Sequence, residues 1–123
     1  MLTINLNKLR FLSRNKIENL NHFVAVNKSL MPHAIAVAVG CSVDEATTIL
    51  LYLYGKDLVD GYILVYHISH LDNYFEKRKM SEGFALKKDY MCPVCELQHN
   101  SQDELFYDVE FRLKTEVEFT IEP

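Results

Sequence analysis

"PHAIAVAVGCSVDEATTILLYLYGKDLVDGYILVYHIS", residues Pro32–Ser69, is the stretch that decides the fold. Pro32 suits the first position of a helix, where its missing N–H costs little. Ala34 to Val39 are small and apolar, so the helix Pro32–Val39 is expected to be buried on most sides, with Gly40 stopping it as a C-terminal cap. Ser42-Val43-Asp44-Glu45 reads as a capping box: the Ser42 hydroxyl accepts from the Glu45 amide, and the Glu45 carboxylate accepts from the Ser42 amide. Asp44 and Glu45 also lie on the positive end of the helix dipole. The second helix therefore starts at Ser42 and runs to about Lys56. Asp60-Gly61 reads as a turn. Tyr62–Ile68 is β-branched, aromatic and apolar on both faces, which predicts a well-covered strand.

The second helix has two sides. At about 100° per residue, Val43, Ala46, Ile49, Leu50 and Leu53 share one side and are expected to pack on the preceding helices. Asp44, Thr47, Thr48, Leu51 and Tyr52 share the other.

Upstream, Leu9, Leu12, Ile17, Leu20, Phe23 and Val24 recur at intervals of mostly three and four, which predicts helix within residues 3–27. Asn15 is a candidate cap for a break near Ser13–Asn15, so one helix and two remain open. Downstream, Leu71, Tyr74 and Phe75 suit the start of a short helix ending at Lys77-Arg78-Lys79, within a stretch (71–84) of ambiguous pattern. "ALKKDYMCPVCELQHN" reads as a strand and a knuckle. Leu105, Tyr107, Val109, Phe111 and Leu113 alternate with charged residues, as do Val117, Phe119 and Ile121. Both read as amphipathic strands, with a turn at Lys114-Thr115.

Taken together, helix, glycine turn, capped helix and strand in Pro32–Ser69 resemble the winged helix-turn-helix superfamily. The resemblance covers about a third of the chain. It implies an α+β fold: a winged helix-turn-helix over 1–70, then a small antiparallel, β-rich, ribbon-like region over 71–123. Small proteins that join a winged helix to a β-ribbon serve as regulators, or as adaptors in larger assemblies.

Charge narrows the class. The net charge of −4 lacks the basic excess of a dedicated nucleic-acid binder. Its distribution is uneven: residues 1–30 hold five bases against one acid, and residues 101–123 hold seven acids against two bases. The N-terminus shows no signal-peptide core, and no apolar run approaches the roughly 20 residues that span a bilayer. The expectation is a cytoplasmic protein without a membrane partner.

Four sets of residues are candidate sites. On the second helix, Thr48, Leu51 and Tyr52 face outward beside acids, and no Arg, Lys, Asn or Gln precedes Lys56. Base readout relies on those four residue types, whereas tyrosine and apolar anchors suit a protein contact. Leu51 and Tyr52 are covered either by a partner or by the C-terminal β region of the same chain. In the N-terminal segment, Lys8, Arg10, Arg14 and Lys16 form a phosphate-tracking surface if the fold gathers them with Lys77-Arg78-Lys79 and Lys87-Lys88.

The third set is the knuckle. Cys92-Pro93-Val94-Cys95 with His99 resembles half of a zinc ribbon, in which two thiolates three apart reach one tetrahedral ion. A structural zinc site takes four ligands, and Cys41, His67, His70 or a second copy of the chain are candidates for the fourth. The alternative is a ribbon without metal. The fourth set is Cys41 alone, expected as a buried inert thiol. No phosphate loop or nucleophile motif is present, so no enzyme and no small-molecule substrate is expected. The leading expectation is a protein–protein interaction module, docking a partner or itself through Thr48, Leu51, Tyr52 and the edge of the Val117–Ile121 strand. The runner-up is a DNA-binding transcriptional regulator using the basic N-terminal segment and the wing.

Overall fold

The capping box forms as the sequence dictates. In the computed structural model the Glu45 amide donates to Ser42 Oγ, and the Ser42 amide to Glu45 Oε1, both at 3.0 Å. Helix α3 (Val43–Gly55) starts there, and α2 (Pro32–Val39) carries Pro32 at its first position. Gly40 ends α2 at φ 83°, and the Gly40 and Cys41 amides both donate to the Ala36 carbonyl. The two helices are bent by 112° across this turn. The structure describes residues 1–67, 71, 73, 74, 76–82, 90–92, 97–99 and 105–122, with the backbone alone for 67, 82, 90–92 and 97–99.

The fold is α+β. The other described elements are β1 (Leu2–Asn5), α1 (Arg14–Val26), β2 (Ser29–Leu30), β3 (Val59–His67), β4 (Glu76–Lys79), β5 (Tyr90–Cys92), β6 (Leu97–His99), β7 (Leu105–Leu113) and β8 (Val117–Thr120). The strands form sheets in the orders β1-β8, β2-β7-β3-β4 and β5-β6. The chain divides into two units, Met1–Asp60 with Phe111–Pro123, and Gly61–Glu110.

In the first unit, α1 packs on α2 and on β8, and α2 packs on α3. Ile17, Leu20, Ile35, Val39, Ala46, Ile49, Leu50 and Leu53 are buried there, with Phe111 and Phe119 the largest fully buried side chains. Each fully buried Leu, Ile or Phe contributes about 1.5–3 kcal/mol. In the second unit, Ile63, Leu64 and Val65 are buried in succession, as expected of a strand covered on both faces. Among the described residues no single helix is long and apolar enough to cross a membrane.

Four local expectations are corrected. Residues 2–5 are a strand, not helix, and α1 begins only at Arg14, with the Ser13 hydroxyl rather than Asn15 as its cap. The helix-like spacing of Leu6, Leu9 and Leu12 has another origin: Leu9 donates to the Leu6 carbonyl and Leu12 to the Leu9 carbonyl, so successive tight turns bury all three leucines.

Asp60-Gly61 lies inside β3. The turn sits upstream, where Asp57 adopts φ 60°, the Asp57 amide donates to Tyr54 and the Leu58 amide to Leu53. This is a Schellman end to α3 with aspartate, one of the few residues that tolerates the left-handed region, where glycine is usual.

Glu76–Lys79 is strand, not the end of a helix, because Glu76 to Lys79 pair in antiparallel register with Val65 to Tyr62. The Lys114-Thr115 turn lies between β7 and β8 as expected, but those strands do not belong to one antiparallel ribbon. Instead β8 runs parallel to β1, from Leu2 opposite Val117 to Asn5 opposite Thr120, while β7 pairs with β2.

Candidate interaction surface

Thr48, Leu51 and Tyr52 share one side of α3, being spaced three and four apart. Thr48 is exposed, Leu51 keeps 53 % of its surface in solvent, and Tyr52 is half-buried. The Thr48 hydroxyl donates to the Asp44 carbonyl and the Thr47 hydroxyl to the Val43 carbonyl, each at 2.9 Å. With their donors turned back on the helix, these threonines offer methyl groups and acceptor lone pairs outward. At the C-terminal end Lys56 Nζ lies 5.0 Å from the Tyr52 ring centroid, so the first cation on this helix is folded onto an aromatic face. The surface is apolar and aromatic, with Asp44 and Glu45 at one end and Lys56 at the other.

Val43 belongs with this exposed surface and not with the core, being 52 % exposed. It is the first residue of α3, ahead of the first buried position, Ala46. Tyr54 differs: its ring meets Phe111 edge-on at 6.2 Å, which ties that side of α3 to the core.

The β8 edge is capped at Phe119. β1 occupies one side of the strand, and on the other the Asn21 side chain from α1 holds both backbone groups of Phe119. A partner strand therefore finds no free Phe119 N–H or C=O, and the expected edge contact is withdrawn from the Leu51 surface.

Of the basic set, Lys8, Arg10 and Arg14 are exposed, and Lys16 Nζ reaches the Phe11 carbonyl at 3.4 Å. Arg14 and Lys16 stand in the first turn of α1, which has no acid. Lys87 and Lys88 lie outside the described residues.

Of the knuckle region only the two strands on either side are described, where Cys92 pairs with Leu97 and Tyr90 with His99 across β5 and β6; residues 93–96 lie outside the described residues. Cys95, and the side chains of Cys92 and His99, lie outside what is described, so the zinc expectation falls on them. Among the described residues no three His, Cys, Asp or Glu side chains gather as metal ligands. Cys41 is half-buried, and burial, followed by the nearby Glu45 carboxylate, pushes its thiol above the ordinary range against an opposing pull from Lys16. A raised thiol carries less thiolate and is less nucleophilic.

A hollow of about 370 Å³ is lined by Val24, Ala25, Lys28, Lys114 and Val117 among others. Lys114 there is a structural cation. Its hydrogen bond to Asp57, with Asp60 at 3.6 Å, raises its pKa and keeps it protonated.

Sequence reasoning missed two features. One is the Asn21 clamp on Phe119. The other is an aromatic cluster in the second unit, where the Tyr66 ring meets Tyr74 and Phe106 edge-on, each at 6.1 Å. No protein family, no curated protein and no solved structure matches this chain.

Proposed function

We propose that this protein is a non-enzymatic interaction module with a winged helix-turn-helix core, docking another protein or a second copy through the outward side of α3. The core reading is supported by element order and geometry. A short strand, β2, lies between α1 and α2. The α2–α3 pair turns through 112° at a glycine, within the range of helix-turn-helix pairs. β2 then pairs with β7, the strand that follows the long excursion after β3 and β4. On this reading β3 and β4 form the wing, and the antiparallel β5–β6 pair is the ribbon.

The observation that carries the docking role is Leu51, half-exposed in the middle of the helix side that a DNA reader would send into the major groove. With Asp44 and Glu45 at the entrance and Lys56 drawn onto Tyr52, that side meets phosphates with the wrong sign and protein with a usable apolar anchor. Native mass spectrometry and partner capture with Leu51→Glu plus Tyr52→Ala test it. Loss of assembly or capture, with the melting temperature near wild type, is expected; assembly and capture both unchanged in that variant would sink the idea.

The DNA-binding reading keeps one observation in its favour. Arg14 and Lys16 occupy the positive end of α1, where cations are disfavoured by the dipole and an acid would stabilise. Duplex binding that falls steeply with salt and disappears on charge reversal at Arg10, Arg14 and Lys16 would move the conclusion there.

A further inference from the structure

The second unit displays how it holds a cation. Along β3, Tyr62, Leu64 and Tyr66 point to one face, because side chains alternate across a strand. At one end of that face Lys77 Nζ sits 4.4 Å from the Tyr62 ring centroid and 2.8 Å from Glu110 Oε1. An ammonium is thus seated on a ring and flanked by a carboxylate.

The other end repeats these materials. Tyr66 meets Tyr74 at an interplanar angle of 85° and Phe106 at 61°, so three rings turn edges and faces toward one another. Tyr74 is 47 % and Phe106 50 % exposed, so both retain open ring surface. Asp108 is two residues from Phe106 on the same strand, and its Oδ1 accepts the Val109 amide, which fixes the carboxylate. Burial first, then Asp108, Tyr74 and Glu110, push the Tyr66 phenol above its ordinary range. Asp108 thus supplies a carboxylate near the rings, the sign of charge that attracts a cation.

We propose that Tyr66, Tyr74 and Phe106, with Asp108 beside them, seat the cationic side chain of a basic segment on a separate protein partner, with arginine preferred. A guanidinium stacks on ring faces and donates in a planar fork to a carboxylate, which suits rings with one acid better than a point charge does. An exposed cation–π contact is weak alone, so the seat serves a side chain delivered on a larger partner rather than a free small cation. The assignment stands independently of the α3 surface, which lies in the other unit.

The experiment is an NMR titration of the full chain with a short glycine–arginine peptide, following the ring resonances of Tyr66 and Phe106. A glycine–glutamate peptide of equal length is the control. Saturable shifts with the arginine peptide alone are expected, weakening with salt. Affinity should fall roughly two- to fivefold in Phe106→Leu or Tyr74→Leu, and less in Asp108→Asn. Leu51→Glu should leave it unchanged, so failure here and failure of the α3 reading are distinguishable. Absence of shifts, equal response to both peptides, or undiminished response in both leucine variants overturns the proposal. Shifts that grow with the protein's own concentration and vanish in Arg10→Glu with Arg14→Glu would make the occupant a second copy, and overturn a separate partner.

Discussion

The Asn21 carboxamide pairs with the Phe119 backbone as a neighbouring strand would: its Nδ2 donates to the Phe119 carbonyl at 2.9 Å, and the Phe119 amide donates to Oδ1 at 2.7 Å. One side chain on α1 thereby caps the edge of β8 at Phe119 and fixes the helix against the β1–β8 sheet. The two residues are 98 apart in sequence, so the pair also ties the chain's last strand to its first helix.

Asn21→Ala leaves a part-buried N–H and C=O without their partners. Removing one partner of such a bond costs about 1–3 kcal/mol, so the variant should unfold at lower urea with an unchanged m-value. Hydrogen exchange at the Phe119 amide should accelerate more than at amides in α3. The freed edge should also raise concentration-dependent self-association, as exposed edges do. Wild-type exchange at Phe119 in the variant would show that the clamp is not what protects the edge.

The two glycines at helix ends predict opposite signs. Gly40 lies at φ 83°, and a Cβ there meets nothing within 4 Å, so Gly40→Ala carries a purely conformational cost of about 1–2 kcal/mol. Gly55 is helical and equally uncrowded, so Gly55→Ala should stabilise by about 0.5–1 kcal/mol. Denaturant unfolding of both variants checks the pair, and the same sign for both would contradict the conformational account.

What was legible in the sequence was local. Pro32, Gly40, Ser42 and Glu45 each act within a few residues, so both helices, their caps and the turn between them could be read directly. The exposure of Leu51 followed from the same periodicity. What escaped was non-local. Leu2–Asn5 is too short and too weakly patterned to read as a strand, and becomes one because β8 lies alongside. Leu6, Leu9 and Leu12 imitate a helix, since tight turns and helices both return a side chain after three residues. Asp60-Gly61 has the composition of a turn, yet the left-handed residue is Asp57, where the end of α3 already needs it. Asn21 is one of several polar residues on α1, and nothing near it in sequence announces Phe119. Tyr66, Tyr74 and Phe106 are likewise scattered, and only the fold brings their rings together.

Four groups with raised pKa values among the described residues make alkaline stability a joint test of these placements. Burial raises Cys41, Tyr66 and Tyr107, with carboxylates adding to each, and the Asp57 hydrogen bond raises Lys114. In every case the folded state holds its proton more tightly than the unfolded chain. Stability from these groups is complete below the unfolded pKa and is lost as pH rises toward the folded value. The first loss should start near 9, where an unfolded thiol ionises, followed by the tyrosines near 10 and the lysine near 10.5. Thermal melts should therefore be level from neutral pH to about 8 and fall progressively above it. Cys41→Ala should delay the onset by roughly one pH unit, because among the described residues tyrosine and lysine losses are what remains. A melting temperature that holds constant through that range, or an onset that ignores Cys41→Ala, would mean that the thiol is as solvated in the folded protein as in the unfolded chain.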